Sequence, residues 1–297
     1  MYACMEPVRS ERVNAGGGFI HQIKWDGVRG IALVESGNVR VFSKSGRECT
    51  VQYPEMAALS RQMDTVQAVV DGEIVAFAEG KPSFYHVLKR SRSHGGSNAS
   101  ACPVHYIAFD LLELNGNDLR KLPLEERQSL LRIHFTVSPA AALADDFTDG
   151  ETLLALMKKE NMEGIVSKRL GSAYIAGKNH RDWFKTKIAR KMLCAVTGLR
   201  LNNGQPASLE LAVYRDGELT PVGRAGSGLN QEALRLLMDY AEKESTGLRG
   251  DVMRVLPRLT CWVRFAEWTA DGTMRHPVLL GFSDRPAEEA TGEEISV

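Results

Sequence analysis

One lysine stands in a short segment whose residue types could support nucleophilic chemistry. Lys24 opens the hexapeptide Lys-Trp-Asp-Gly-Val-Arg, residues 24–29. An unprotonated lysine amine can attack carbonyl and phosphoryl centres. Gly27 permits a tight turn, Asp26 can orient nearby donors, and Arg29 offers a planar fork for a phosphate or a ribose. The hexapeptide alone is equally typical of a turn between two strands, so the rest of the chain has to decide.

Five further motifs follow Lys24 in order. They are Phe-Ser-Lys-Ser-Gly-Arg (42–47), Val-Val-Asp-Gly-Glu-Ile-Val (69–75), Tyr-Ile-Ala-Phe-Asp-Leu-Leu (106–112), Glu-Gly-Ile-Val-Ser-Lys-Arg (163–169) and Trp-Phe-Lys-Thr-Lys (183–187). The ordered set resembles the covalent nucleotidyltransferases, which comprise ATP-dependent DNA ligases, RNA ligases and mRNA capping enzymes. The last two motifs resemble the DNA ligase branch, and most of all the ligase module of bacterial non-homologous end-joining enzymes. The resemblance extends from about Lys24 to the C-terminus.

The resemblance implies an ATP-dependent DNA ligase that seals nicks or breaks in DNA repair. Lys24 would attack the α-phosphate of ATP, forming lysyl-AMP and releasing pyrophosphate. The AMP would pass to the 5′-phosphate of a nick, and the 3′-hydroxyl would then displace it. Asp26 would assist these later steps. Because both reacting centres are phosphoryl groups, catalysis would depend on positioning and on neutralising charge.

An ATP site drawn from several motifs follows from the same resemblance. Arg29 would contact the ribose and Phe109 would stack on the adenine, although a phenylalanine in so apolar a run is by default a core residue. Lys185 and Lys187 share one strand face and would converge on the α-phosphate. The predicted ATP-binding residues are Gln22, Ile23, Lys24, Arg29, Lys44, Glu73, Phe109, Lys185 and Lys187.

Two glutamates match the metal-binding carboxylates of the family. Glu73 lies in Asp-Gly-Glu-Ile and Glu163 in Glu-Gly-Ile-Val. Hard oxygen ligands suit magnesium, which would help three phosphates and an amine to approach one another. The resemblance therefore implies ATP and Mg²⁺ as cofactors, with Mn²⁺ as a substitute.

Three positions depart from the family pattern. Gln22 stands where ligases usually carry a glutamate for the adenine amino group; its carbonyl oxygen can accept a hydrogen bond, but it brings no charge. Lys44 stands where the second motif usually has an arginine, so charge is kept and bidentate geometry is lost. The C-terminal Arg-x-Asp-Lys motif is not recognisable, and Arg275 or Arg285 is the available substitute.

The charge of the chain bears on the DNA-binding prediction. Its 37 Lys and Arg residues balance its 37 Asp and Glu residues, whereas proteins that bind duplex DNA usually present a basic surface. Basic residues cluster in residues 178–191, which we interpret as a DNA-facing segment. The predicted DNA-binding residues are Arg47, Lys168, Arg169, Lys178, Arg181 and Arg275. The resemblance adds Ku and a separately encoded repair polymerase as partners.

The bulk properties are those of an ordinary two-domain protein. At 297 residues, the length predicts two domains. Because the sequence has no apolar run of about 18 residues and no secretory signal, we expect neither a membrane span nor export. Five widely separated cysteines argue against a disulfide framework and favour a reducing compartment. We predict a monomer in the cytoplasm, associated with the nucleoid.

The motifs need a scaffold of strands and helices to position them. Strand-like runs are predicted at Phe19–Lys24, Gly30–Glu35, Asn38–Ser43, Ala68–Ala78, Val104–Leu112, Gly164–Lys168 and Trp183–Lys187, and helices at Glu55–Met63, Ser83–Arg90, Leu124–Phe135 and Asp149–Glu160. Ser91–Ala101, rich in Ser, Gly and Asn, predicts a mobile loop. After residue 189 short strands with one helix, Asn230–Lys243, suit a small β-barrel.

These patterns predict an α+β protein. Residues 1–189 would form an ATP-grasp-like nucleotidyltransferase (adenylation) domain of antiparallel sheets and helices, and residues 190–297 an oligonucleotide/oligosaccharide-binding (OB) fold. The alternative functions are an RNA ligase, a capping-type nucleotidyltransferase, or a non-catalytic nucleic-acid clamp. Labelling of the protein by ATP rather than GTP would separate ligases from capping enzymes, and the intact lysines and glutamates of the motifs argue against a clamp.

Overall fold

The computed structural model describes residues 3–14, 16–78, 80–92, 102–188, 190–269 and 271–296. The chain divides into two compact units, Met1–Ile188 and Ala189–Val297, here called the first and second units. The predicted loop Ser91–Ala101 falls, after its first two residues, outside the described residues.

The first unit contains the segments that carry all six motifs. Its strands are β1 (Glu6–Arg9), β2 (Phe19–Ile23), β3 (Val28–Glu35), β4 (Asn38–Ser43), β5 (Gln67–Ala78), β6 (Lys81–Pro82), β7 (Val104–Leu114), β8 (Asn117–Asp118), β9 (Ala141–Leu143), β10 (Gly164–Arg169) and β11 (Asn179–Lys187). Its helices are α1 (Leu59–Gln62), α2 (Phe84–Arg92), α3 (Leu124–His134) and α4 (Gly150–Lys159), with 3₁₀ turns at Thr50–Gln52 and Pro54–Ala58.

Two sheets build the first unit. The larger sheet has the order β4-β3-β5-β7-β8, with β6 beside β5 and β9 beside β7, and the smaller has the order β1-β11-β10-β2. β1 with β11 and β7 with β9 are parallel pairs, and the other pairs are antiparallel. Helices α1 to α3 cover one face of the larger sheet, and α4 covers the outer face of the smaller one.

Successive residues of β5 lie on opposite faces of the larger sheet and pack into different apolar clusters. Val70 and Ile74 join the core beneath the helices, together with Tyr106 of β7. Val69 belongs to a second cluster that also contains Trp183 of the smaller sheet. Residues of β5 in phase with Val69 therefore face the smaller sheet, and Asp71 and Glu73 are among them.

The prediction of a continuous helix over Glu55–Met63 is wrong. The segment is a 3₁₀ turn followed by the single-turn helix α1, and neither part has a side-chain cap. Met56, Leu59 and Met63 are nonetheless buried. Tertiary packing of the apolar residues therefore sets this segment more than helix propensity does.

The second unit is organised around one long strand. Its elements are β12 (Arg190–Asn202), β13 (Gln205–Arg215), β14 (Glu218–Ala225), α5 (Gln231–Glu244), β15 (Ser245–Arg249), β16 (Val252–Val255), β17 (Thr260–Phe265), β18 (Glu267–Trp268), β19 (Met274–Arg275), β20 (Val278–Ser283), a 3₁₀ turn (Ala287–Glu289) and β21 (Glu294–Ser296). β12 pairs with β13, β16, β17 and β21. The sheet encloses an apolar core that Leu237 of α5 completes.

The cysteines lie inside both units. Cys4, Cys49 and Cys102 are buried thiols of the first unit, and Cys194 and Cys261 are buried register partners on β12 and β17. None of the helices in the described residues has the length and hydropathy that crossing a bilayer requires.

Candidate active site

A pocket of about 280 Å³ lies between the two sheets of the first unit. The smaller sheet contributes Gln22, Lys168 and Lys185 to its lining, and the larger sheet contributes Glu73 and Phe109. Residues from motifs far apart in sequence thus meet in one cavity. Of the predicted ATP-binding residues, the lining contains Gln22, Ile23, Lys24, Arg29, Lys44, Glu73, Phe109 and Lys185.

Strand register explains how the smaller sheet presents its polar residues. Gln22, Val166 and Lys185 lie in one row across β2, β10 and β11. Ile20, Lys168 and Trp183 form the next row. Rows that are two residues apart along the strands present their side chains on the same face of the sheet. One face therefore carries Lys168 and Lys185, and a further row adds Lys24 from a third motif.

Lys24 follows directly after β2. Its backbone N–H donates to Gly164 O at 2.9 Å, and Gly164 is the register partner of Lys187. Lys24 therefore continues the sheet as a third row.

Glu163 joins two of the motif lysines. Its Oε2 accepts from Lys24 Nζ at 2.5 Å, and its Oε1 lies 2.5 Å from Lys187 Nζ. Burial alone would raise the pKa of Glu163, but the two ammonium groups outweigh it and lower the pKa below its usual value. A charged carboxylate thus holds Lys24 at the mouth of the pocket.

Glu73 behaves differently, although it comes from the opposite wall. Burial raises the pKa of Glu73 to about 7, against the opposing charges of Arg29 and Lys24. Its carboxyl group is therefore only half ionised near neutral pH. An added cation would favour the ionised form.

Arg29 forms a planar ion pair rather than pointing freely into the cavity. Its Nε and Nη2 donate to Asp71 Oδ1 and Oδ2 at 2.5 and 2.6 Å, and Tyr174 Oη donates to Asp71 Oδ2 at 2.6 Å. The guanidinium carbon lies 4.6 Å from the centroid of the Phe109 ring. Asp71 and Tyr174 thereby fix the orientation of Arg29, which lines the pocket where the sequence predicts a ribose contact.

An aromatic pair and a buried lysine form the floor of the pocket. Phe109 and Trp183 meet edge to face with centroids 6.1 Å apart. Lys168 Nζ lies 4.0 Å from the centroid of Phe109 and 4.2 Å from that of Trp183. Burial lowers the pKa of Lys168 to about 7. The predicted DNA contact of Lys168 is not favoured by this position, because its side chain is 2% exposed and faces the pocket.

Phe109 reaches the pocket at a β-bulge in β7. Asp71 pairs with Asp110 and Gly72 with Ala108, so that Phe109 is the extra residue in β7. A bulge changes the direction in which the following side chains point. Phe109 itself packs toward the cluster of Trp183 and Tyr174, opposite Tyr106 and Ala108 as plain alternation requires, and the bulge then returns Leu111 to the side of Tyr106.

The remaining cations stand at the pocket rim. Lys44 Nζ pairs with Glu6 Oε2 at 2.7 Å. Burial lowers the pKa of Lys185, and the neighbouring ammonium groups of Lys24 and Lys187 lower it further. Several cations crowded together in this way favour an anionic ligand.

Two glycines let the walls approach. A Cβ on Gly27 would lie 2.4 Å from Ile74 O and 2.9 Å from Glu73 Cγ. Gly164 has a φ of +137°, and a Cβ there would lie 2.1 Å from Thr186 O. The motif glycines are therefore required by backbone geometry next to Lys24 and Glu163.

The other predicted residues lie outside the pocket lining. Asp26 is half-buried in the bend after Lys24. Arg47, Lys178 and Arg181 are exposed on the first unit. Arg169, also exposed, pairs with Asp182 at 2.9 Å. Arg275 is half-buried in β19 of the second unit, and Arg285 stacks 5.5 Å from the centroid of Trp262 there.

The two pocket glutamates suit magnesium unequally. The described residues contain no group of three or more His, Cys, Asp or Glu that could hold a metal ion. Magnesium is commonly held by one or two carboxylates together with substrate phosphates. Glu73 fits this role because its buried carboxyl would be ionised by a cation, whereas both oxygens of Glu163 already contact lysines.

Comparison with known proteins agrees with this geometry. Residues 6–187 match the family model described as ATP dependent DNA ligase domain, and residues 202–285 match the ATP dependent DNA ligase C terminal region. The chain belongs to the ATP-dependent DNA ligase family. The predicted family is confirmed, and ATP is the nucleotide of this family.

Relatives and solved structures place the chain within this family. It is 30% identical over 93% of its length to the multifunctional non-homologous end joining protein LigD of Pseudomonas aeruginosa, and 31% identical over 91% to that of Mycolicibacterium smegmatis. It covers 35% and 37% of those proteins, about a third of their length. A mycobacterial DNA ligase D structure complexed with ATP and MES is 27% identical, with a TM-score of 0.58 and 98% of each chain covered. The predicted fold class, a nucleotidyltransferase domain followed by an OB fold, is confirmed.

The sequence patterns assign no individual role to four residues around the pocket, although the first two lie within motifs: Asp71, Trp183, Asp146 and Tyr174. A signal existed for Asp71, since an aspartate inside a valine-rich strand needs a buried partner. For Asp146 and Tyr174 the contacts join segments far apart in the chain, and no local pattern marks them.

Proposed function

We propose that this ligase-family chain forms lysyl-AMP at Lys24 from ATP and uses it to seal nicks or breaks in duplex DNA. The observation that carries the proposal is the position of Lys24, held by Glu163 beside a pocket with an aromatic floor and a cationic rim. Such a pocket suits a purine at one end and phosphates at the other.

In the first step the Lys24 amine attacks the α-phosphate. A nitrogen–phosphorus bond forms, the bond from phosphorus to the bridging oxygen breaks, and pyrophosphate leaves with that oxygen. Lys24 must lose a proton to attack, and Glu163 lies within hydrogen-bond distance of its Nζ. We assign to Lys185, which lines the pocket, the stabilisation of charge that develops on the α-phosphate.

The later steps use DNA as substrate. The 5′-phosphate of the break displaces Lys24 from the AMP, and the 3′-hydroxyl then displaces AMP to join the strands. Magnesium, held by Glu73 and the phosphates, would neutralise charge on the triphosphate. We assign adenylation to the first unit and DNA contact to both units, with Asp26 acting in the sealing steps.

Labelling with nucleotide tests the proposal. Wild-type protein incubated with α-labelled ATP and Mg²⁺ should become covalently labelled, and Lys24→Ala should take up no label. Lys159→Ala, which alters an exposed lysine at the end of α4, should label normally. Equal labelling of wild type and Lys24→Ala would exclude Lys24 as the nucleophile, and labelling by GTP alone would indicate a capping-type enzyme.

The cellular role is a narrower part of the proposal. The named relatives are end-joining proteins, so we propose action at double-strand breaks in the cytoplasm, close to the nucleoid, as a monomer with Ku and a separate repair polymerase. Sealing of a two-ended linear duplex, measured with and without Ku, tests this role separately from nick sealing.

A further inference from the structure

The amide of Gln22 is tied to a carboxylate from a distant segment. Gln22 Nε2 donates to Asp146 Oδ1 at 2.7 Å. Asp146 also accepts from Gln128 Nε2 at 3.4 Å, and its Oδ2 pairs with Arg132 Nη2. Gln22 is 3% exposed and lines the pocket that contains Phe109.

This contact fixes which end of the Gln22 amide faces the pocket. An ionised carboxylate only accepts hydrogen bonds, so it can bind only the amino end of a carboxamide. The carbonyl oxygen of Gln22 is thereby directed away from Asp146. Among the described residues none donates to that oxygen, which leaves it available to a ligand.

We propose that Asp146 is a positioning residue that makes Gln22 a fixed hydrogen-bond acceptor for the exocyclic amino group of adenine. The pair would select a purine that carries an amino group over one that carries a carbonyl at the same position. This inference rests on the proposed use of ATP, and it adds a selectivity device that lies outside the motifs.

The Asp146→Asn substitution should reverse the orientation of the Gln22 amide. Arg132 only donates, so it will hold the oxygen of the new amide, and the new amino group will face Gln22. Gln22 must then accept from it and present its own amino group to the base. A carbonyl-bearing purine would become the better ligand.

An exchange of the two groups provides an independent variant. Gln22→Glu alone places two carboxylates at the 2.7 Å separation seen for the pair, which is unfavourable while both are ionised. Combining Gln22→Glu with Asp146→Asn restores one donor and one acceptor in nearly unchanged volume. The double variant should therefore recover the ADP preference that Asp146→Asn loses, without the repulsion that Gln22→Glu introduces.

Equilibrium binding of ADP and inosine diphosphate to the full chain, measured by calorimetry, tests the proposal. Inosine diphosphate carries a carbonyl where ADP carries the amino group. The wild type should favour ADP by about tenfold or more, Asp146→Asn should lower that ratio by about tenfold or more, and the double variant should restore it. Asp145→Asn, a change in the adjacent exposed carboxylate, should leave the ratio unchanged.

The outcomes separate this inference from the proposed function. An ADP preference that persists unchanged in Asp146→Asn would overturn the positioning role while leaving the nucleotide site intact. Failure of the wild type to bind either diphosphate would instead overturn both the nucleotide site and its selectivity device.

Discussion

Glu163 balances the charge of the lysines around the reactive centre. It contacts both Lys24 and Lys187, each at 2.5 Å, through different oxygens. Lys185 has a lowered pKa because burial and these same ammonium groups disfavour its proton. The lysines thus repel one another wherever Glu163 does not compensate. A polyphosphate entering the pocket would relieve this repulsion, which gives the site affinity for anions before any chemistry occurs.

Substitution of the two glutamates should separate their roles. We expect Glu163→Gln and Glu73→Gln each to lower the rate of lysyl-AMP formation by about tenfold or more, since each removes a charge that positions the lysine or a cation. Glu73→Gln should also raise the Mg²⁺ concentration needed for half-maximal rate. The measurement is labelling over a magnesium titration, with circular dichroism to monitor folding.

Glu126→Gln, at an exposed position of α3, is the matched control and should leave the titration unchanged. If the wild-type titration curve is retained in both active-site variants, the two carboxylates have only a structural role.

We expect Lys168 to make a pH-dependent contribution to stability. Its pKa is lowered to about 7 by burial, against an unfolded value of 10.5. Between these values the unfolded state binds a proton that the folded state lacks, so stability rises with pH. Relative to Lys168→Met, the wild type should gain about 1 kcal/mol per pH unit between pH 7 and pH 9. Urea unfolding of both proteins at several pH values measures the difference.

Groups that titrate in both proteins contribute equally to both stabilities, so their contributions cancel in the comparison with Lys168→Met. A stability difference that stays constant from pH 7 to pH 9 would show that Lys168 keeps its proton in the pocket.

At the scale of elements, β10 and β11 set the spacing between Glu163 and its two lysines. Gly164 begins β10 with a φ of +137°, and its absent side chain lets Thr186 O approach. Gly164→Ala should lower the free energy of unfolding by about 3 kcal/mol, because it combines an unfavourable backbone conformation with a steric clash. Gly171→Ala has a positive φ of +75° but open space around it, and should cost only about 1 kcal/mol.

Chemical denaturation of both glycine variants tests this difference, and lysyl-AMP formation gives a second reading. Equal destabilisation would mean that the two strands separate easily to admit a side chain.

The elements also show where sequence patterns reach their limit. The boundaries of β4 and the helical character of α3, α4 and α5 follow from alternation, periodicity and caps such as Asp149 and Asn230. The sides on which Leu111 and Leu112 lie do not, because a bulge at Phe109 shifts the alternation of β7 and no residue type announces it. Family resemblance alone predicts the adenine role of Phe109, whereas the lysine beside its ring and the Asp146 contact depend on segments that only the tertiary fold brings together.

At the scale of the whole molecule, zero net charge coexists with a basic segment. Lys178, just before β11, and Arg181, near the start of that strand, are exposed. Lys185 instead lines the pocket, and Lys187 pairs with Glu163. Only part of the predicted basic cluster is therefore available to DNA phosphates. Because the chain as a whole has no net charge, we expect nick binding to depend on a few local contacts between basic side chains and DNA phosphates.

Salt dependence of nick affinity measures those contacts. Each phosphate neutralised contributes about −0.9 to the slope of log affinity against log salt concentration. We expect affinity to fall as salt rises, and the double variant Lys178→Ala/Arg181→Ala to have a shallower slope by about 2. Lys158→Ala/Lys159→Ala removes the same charge from α4 and should keep the wild-type slope. An unchanged slope in the first variant would place the phosphate contacts elsewhere.

The alkylation rates of the buried cysteines report how often each unit opens. Burial raises the pKa of Cys4 and Cys261 to about 12, so a thiol reagent should modify them only when the surrounding structure opens. Three thiols report on the first unit and two on the second, and the order in which mass spectrometry detects their alkylation is the order in which the units open. ADP should slow the modification of Cys4, which lines the pocket, and leave that of Cys261 unchanged.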